Sequence, residues 1–381
     1  MSDVSIASEK KFTILTVNPG STSTKLALFE NTACIKNFEI PHKHTAGLKG
    51  AAMDAEVDLY VAQVKTFLAD SNATALDAVV GRGGFLNRTG QRIEGGVYQV
   101  CSLIDDQVVA HEDIISSVRD HAEMDHASNL GIPIAARLAT QFKVPAFCVD
   151  PVVADELQCE ARYSGYAPIA RKSTGHVLSI RACARKASQA VGRPFDKSSF
   201  ILAHLGGGIS IAAVRNGRIV DNSIALLGEG PFTPQRAGTL PQNELIDLCY
   251  SGRFEKDELK RELTKKAGLI SYVGEDSILV IEQRIAAGDK EAEDAVNAMI
   301  YQICKEIGGM HIAVGGAVDA IVLTGGMAKS SMIVDKIRKR VGLMAQIIVL
   351  KENIEMEAMA IGALAVLSGT EKPKKYTLMV Q

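Results

Sequence analysis

The 381 residues exceed the size at which one hydrophobic core usually keeps growing, so two domains are expected. With 47% hydrophobic and 23% charged residues the chain has a soluble, globular make-up, and a net charge of −2 gives no footing for nucleic acid or a membrane surface. No apolar run approaches the roughly 20 residues of a membrane span. The opening MSDVSIASEKKF lacks a signal-peptide core, and seven scattered cysteines without a CxxC pair read as reduced thiols of a cytoplasmic protein, most of them in the core.

In chain order, ILTVNPGSTSTKLALF (14–29) reads as strand, Asn-Pro-Gly turn and strand, with hydroxyls at Ser21, Thr22, Ser23 and Thr24 beside Lys25. LDAVVG (76–81) is a buried strand followed by Arg82, which is set in GRGGF. His126 in DHASNLG precedes a helix that Ser128 or Asn129 should cap. PAFCVD (145–150) is a strand ending on Asp150, and KSTGH puts His176 near a helix start. SFILAHL (199–205) carries His204 into Gly206, Gly207 and Gly208; a second strand then meets Asn216-Gly217, a hairpin signal. Arg236 sits in the Pro/Gly-bounded loop FTPQRAGTLP. Val296, Ile300, Ile303, Ile307 and Met310 recur at helical spacing, predicting a long core-facing helix over 291–314. VDAIVLT (318–324) is a strand running into Gly325-Gly326, QIIVL (346–350) is another, and Glu357 opens the last apolar helix.

Strands alternating with helices predict an α/β fold. The strand, Gly-rich turn and strand at Ile14 return at Ile201, about half a chain later, and VDAIVLTGGMAKSSM is a third variant. The echo predicts duplicated domains facing one cleft, about 1–150 and 151–356, with a last helix from about 357 that could pack back on the first. Asn18, Arg82, Asp150, His204 and Gly325-Gly326 all fall at or near strand ends, where open α/β sheets bind ligands. Glycine lets backbone N–H groups approach an anion, and small hydroxyls add donors without bulk, so these turns suit phosphate. The first is not a Walker loop: G-x-x-x-x-G-K-[ST] is absent and a strand follows. Arg82 and Arg236 could each fork onto a carboxylate or phosphoryl group.

The blocks VNPGSTSTKLALF, GRGGFL, HASNLG, VDPVVADEL, AHLGGGISIAA, GEGPFTPQRAGTLP, VLTGGMAKS and EMEAMAIGAL, in this order, resemble the acetokinase family of the sugar kinase–Hsp70–actin superfamily over about residues 12–368. That resemblance implies two actin-like ATPase (ribonuclease H-like) domains and transfer of the γ-phosphoryl of ATP, with Mg²⁺, to a short-chain carboxylate, butanoate foremost. It implies that Asn18 positions the phosphoryl group, with Ser21, Ser23 and Lys25 around it. Arg82 and Arg236 would hold the carboxylate and equatorial oxygens, and His176 the phosphoryl in flight. Asp150 would help place Mg²⁺ or substrate, and Glu357 would reach the metal. His204, Gly206, Gly207 and Gly208 would hold the ATP phosphates, and Gly325 and Gly326 would line the adenosine. A homo-oligomer, dimer or higher, is also implied.

Compared with the acetate kinase pattern, Lys172 stands for the first of two histidines, Gly207 for an asparagine, and Gly83-Gly84 for apolar residues after the arginine. Gly84 is expected to make room for a four-carbon or branched chain. Acetate, propionate and isobutyrate are rival acids. A non-metabolic ATPase switch of the Hsp70 or actin type is a rival class, and would need a partner-binding module. A bare anion-binding protein is a third reading. Carboxylate-dependent consumption of ATP separates the three.

Overall fold

The computed structural model describes residues 10–20, 22–42, 47–71, 73, 75–88, 90–224 and 226–379, so Ser21 lies outside the described residues. The chain divides into two compact units, Met1–Ala154 with Ile354–Gln381, and Asp155–Asn353.

The first unit runs β1 (Thr13–Pro19), β2 (Ser23–Glu30), β3 (Ala33–Pro41), α1 (Gly50–Asp70), β4 (Ala78–Arg82), β5 (Val97–Ile104), β6 (Gln107–Ala110), α2 (Glu112–Arg119), α3 (Gly131–Phe142) and β7 (Ala146–Val149). Among the described residues these strands form one sheet of order β3-β2-β1-β4-β7-β5-β6. The pairs β1–β2 and β2–β3 are antiparallel, and β1–β4 and β4–β7 are parallel.

The second unit starts with a small hairpin, β8 (Tyr163–Tyr166) and β9 (Ile169–Ala170), then α4 (Val177–Ala190), β10 (Ser199–Leu205), β11 (Ile209–Arg215) and β12 (Arg218–Asn222). Helices α5 (Gln242–Tyr250), α6 (Lys256–Lys265), α7 (Leu269–Val273), α8 (Ile278–Ala286) and α9 (Lys290–Val314) follow, then β13 (Ala320–Thr324), α10 (Ser331–Val341) and β14 (Ile347–Leu350). The sheet order is β12-β11-β10-β13-β14, with two antiparallel pairs and then two parallel ones, repeating the first five strands of the other sheet.

The periodicities explain this. All residues of β4 and β13 are buried, as parallel strands covered on both faces require. Asn216 and Gly217 both take positive φ, 51° and 76°, the two-residue turn that closes β11 onto β12. Helix α9 starts at Asp289, whose carboxylate accepts from the Ala292 N–H at 3.0 Å, and stops at Gly315 in a left-handed conformation. Its Val296, Ile300, Ile303 and Ile307 are at most 1% exposed, each contributing roughly 1.5–3 kcal/mol of burial.

Helix α11 (Glu355–Leu367) returns to the first unit and packs on β1, β4 and β7. A Cβ on Gly362 would lie 2.6 Å from a Val149 methyl, so glycine sets how closely this helix lies on β7. All seven cysteines are free; Cys101, Cys148, Cys183 and Cys304 are buried, and Cys34, Cys159 and Cys249 exposed. Among the described residues no helix is long and apolar enough to cross a membrane.

Candidate functional site

In the first unit the polar strand ends gather round Arg82. Gly81 and Gly131 let α3 start directly on the end of β4: a Cβ at 81 would sit 2.1 Å from the Gly131 carbonyl oxygen, and one at 131 would sit 2.4 Å from that of Arg82. The Arg82 guanidinium is only 7% exposed. Its Nη1 lies 3.2 Å from Glu355 Oε1, yet makes no bond of good hydrogen-bond geometry, although it is buried. Asn18 Nδ2 donates to the other oxygen of Glu355 at 3.0 Å. An arginine, an amide and a carboxylate from β4, β1 and the first turn of α11 thus meet at one point. Burial pushes the Cys148 thiol, on neighbouring β7, up to about 12 against the pull of Arg82.

Asp150 follows β7 with φ of 44°, a left-handed conformation that is strained for a non-glycine residue. Two bonds to Gly96 hold it there: Asp150 Oδ1 accepts the Gly96 N–H at 2.7 Å, and its own N–H donates to the Gly96 carbonyl at 2.9 Å. Asn18 and Lys25 lie directly opposite each other across β1 and β2, so their side chains share one face of the sheet. The neighbouring hydroxyls are engaged within the unit. Ser23 donates to Glu39, and Thr24 pairs with His42 Nε2 at 2.9 Å.

In the second unit the turn Gly206–Gly208 joins β10 to β11. A Cβ on Gly207 would meet nothing within 4 Å, so packing leaves this backbone open to approach. Thr233 Oγ1 donates to the Gly207 carbonyl at 2.7 Å and accepts the Arg236 N–H at 3.1 Å, so one hydroxyl ties the arginine loop to the glycine turn. Burial lowers the Arg236 guanidinium below its ordinary value. Gly268 packs against the same loop, where a Cβ would stand 1.9 Å from the Thr233 carbonyl oxygen. Gly325, at φ of 88°, could not carry a Cβ, which would fall 2.5 Å from the Leu205 carbonyl oxygen. His176, just ahead of α4, stacks on His204 with ring centroids 4.2 Å apart.

The structure therefore brings Asn18, Arg82 and Glu355 together, with Asp150 one residue beyond β7, and separately brings together His176, His204, Gly206–Gly208, Thr233 and Arg236. Lys172 is exposed on the segment before α4. Two expectations change, and one residue is added. Gly84 makes no room for an acyl chain: its Cβ would lie 2.4 Å from Asn129 Oδ1 and 2.7 Å from Asn129 Cα, so Asn129 fills that space. His126 is itself the cap, accepting the Ser128 N–H on Nδ1 at 3.1 Å, while Asn129 Oδ1 accepts from Phe85 N–H at 2.8 Å. The acid beside Arg82 and Asn18 is Glu355, which the sequence reading did not single out. Residues two apart on a helix do not share a face, so the spacing alone would have offered either acid but not both.

Among the described residues no group of three or more His, Cys, Asp or Glu side chains converges. Mg²⁺ is commonly held by one or two carboxylates and by nucleotide phosphates rather than by an all-protein cage. Glu355 beside Arg82 and Asp150 after β7 are the carboxylates set at the strand ends of the first unit.

Residues 13–380 match the Acetokinase family. A probable butyrate kinase of Listeria monocytogenes serotype 4a is 40% identical over 369 residues, covering 96% of this chain and 99% of the relative. The crystal structure of Porphyromonas gingivalis acetate kinase superposes with a TM-score of 0.74 at 20% identity, over 93% of this chain and 100% of the other. That of a propionate kinase from Francisella tularensis gives 0.69 at 19%, over 92% and 98%. The fold is thus the two-domain α/β arrangement of the acetate kinases. Joined to the family match over nearly its whole length, it places the chain in the acetokinase family.

Proposed function

We propose that this chain transfers the γ-phosphoryl group of ATP to a short-chain carboxylate, butanoate foremost, giving an acyl phosphate and ADP. The observation that carries the reading is Arg82, a buried guanidinium whose carboxylate neighbour among the described residues, Glu355, leaves Nη1 without a good hydrogen bond. A buried cation in that condition is best completed by a second anion. Butanoate is preferred because the Listeria relative carries that name at 40% identity.

A carboxylic acid with a pKa of roughly 4 to 5 is already an anion at neutral pH, so the acceptor needs no general base. What remains is positioning and neutralisation of a diffuse anionic transition state. On this reading a carboxylate oxygen attacks the γ-phosphorus as the bond to the ADP oxygen breaks. Arg82 orients the carboxylate, and Asn18 and Lys25 donate to the transferring group. In the second unit the open backbone of Gly206–Gly208 takes the polyphosphate, and Arg236 and His176 face the equatorial oxygens. Gly325 and Gly326 line the adenosine. Mg²⁺ arriving with the nucleotide would be held by the first unit's carboxylates and would neutralise phosphate charge.

Hydroxylamine traps acyl phosphates as hydroxamates. With ATP and Mg²⁺, hydroxamate should form with acetate, propionate, butanoate, isobutyrate and valerate to different extents, with the highest kcat/KM for butanoate. A peak at acetate would remove the butanoate assignment. No hydroxamate from any acid, with slow ATP hydrolysis alone, would remove the kinase reading.

A further inference from the structure

Ser210 lies on β11 directly opposite His204 on β10 and is fully buried. Its Oγ stands 2.9 Å from Nδ1 of His176 and accepts that residue's backbone N–H at 3.4 Å. Glycine makes this approach possible, because a Cβ on Gly175 would come within 3.0 Å of the same oxygen. The nearest other polar side-chain atom over Gly175 is Asn222 Nδ2, which is a donor and is engaged with the Ser223 carbonyl at 3.2 Å. Buried hydroxyl protons are placed on acceptors. Among the described residues the one atom paired with Ser210 Oγ that could take its proton is His176 Nδ1, whose role depends on the tautomer.

We propose that Ser210 is a positioning residue whose hydroxyl donates to Nδ1 of His176 and holds that imidazole as the neutral Nε2–H tautomer, a ready donor for a phosphoryl oxygen. The inference rests on the reading that His176 meets the transferring group. A histidine bearing its proton on Nδ1 would present a lone pair to an anion and repel it. The stacked His204 ring, 4.2 Å away at 23°, disfavours both rings being charged at once, because two facing imidazolium rings would repel strongly at that distance. Ser210 thus supplies by hydrogen bonding what a second proton would supply only at an electrostatic cost.

The test is nitrogen-15 NMR of the full chain labelled at histidine, with the His176 signals assigned by their loss in H176Q. The wild type should show His176 neutral, with Nε2 protonated and Nδ1 a hydrogen-bonded acceptor. In S210A that fixed tautomer should be lost, and kcat should fall about tenfold, the effect of one hydrogen bond, with KM for ATP and carboxylate nearly unchanged. S210T, which keeps the hydroxyl, should restore both readouts. An Nδ1–H tautomer in the wild type, or S210A with unchanged tautomer and kcat, overturns the proposal. The spectrum needs no substrate, so it decides Ser210 even if the hydroxamate assay refutes the kinase reading.

Discussion

Replacing Gly84 by alanine separates two accounts of the GRGGF segment. If this glycine opened an acyl pocket, a methyl group would trim the pocket and shift preference toward acetate. The coordinates instead put that methyl 2.4 Å from Asn129 Oδ1 and 2.7 Å from Asn129 Cα, where Asn129 also accepts the Phe85 N–H at 2.8 Å. Asn129 lies within the turn Ala127–Leu130 that leads into α3, so it cannot step aside without moving the start of that helix from Arg82. Overpacking of this kind costs roughly 1–3 kcal/mol, and loss of the hydrogen bond to Phe85 adds about 1 kcal/mol. The sum of about 2–4 kcal/mol should lower Tm by roughly 4–15 °C for a unit of this size. Turnover should fall for acetate, propionate and butanoate alike, because Arg82 is displaced for every acid. Thermal melts and a three-acid rate comparison read both effects. A variant with unchanged Tm and a selective gain for acetate would refute the packing argument and restore the pocket.

Glu355→Gln keeps the shape of the side chain that joins Asn18 to Arg82 but removes its charge; kcat/KM should fall at least about a hundredfold, and a larger loss in E357Q would return the role to the later acid. Thr233→Val removes the hydroxyl shared by Gly207 and Arg236. Leaving those groups unpaired should cost about 1–3 kcal/mol, and KM for ATP should rise while KM for the acid holds; unchanged ATP kinetics would show that the glycine turn needs no brace. Iodoacetamide at neutral pH should label Cys34, Cys159 and Cys249 in the native protein and all seven thiols after denaturation. Cys148 should be among the slowest, since burial pushes it up to about 12, and rapid native labelling there would contradict its placement.

The sequence made the repeated strand–turn–strand legible because period, turn chemistry and burial agree there. β4, β7, β10, β13, β14 and α9 begin within about two residues of where the apolar runs place them. What it hid was direction in space. GRGGF says that Gly84 lacks a side chain but not what fills the gap, and Asn129 approaches from 45 residues away. DHASNLG offers Ser128 and Asn129 as caps, and only the loop path makes His126 the acceptor while Asn129 turns to Phe85. Glu355 and Glu357 are equivalent as letters at a helix start; the rotation of α11 on β1, β4 and β7 selects the first for Arg82. Helices α5 to α8 have no buried apolar run of the kind that placed α9; α5, α6 and α8 between them bury only Leu259 and Ile281.

On the proposed function, the duplicated turns would let one topology serve two kinds of binding. After β1, the hydroxyls of Ser23 and Thr24 are committed to Glu39 and His42, which fixes the hairpin and leaves Asn18 and Lys25 on one face. After β10, the equivalent turn is three glycines without side chains, and Thr233 holds its backbone from outside. A small carboxylate has a single charge and little surface, so its binding energy must come from fixed, partly desolvated side chains such as Arg82. A polyphosphate carries several charges along its length and is met well by exposed backbone N–H groups, where a side chain would only obstruct. The open space around Gly207 therefore predicts that Gly207→Ala keeps its melting temperature and raises KM for ATP. A lowered Tm with unchanged KM would mean that the glycine serves the hairpin rather than the nucleotide.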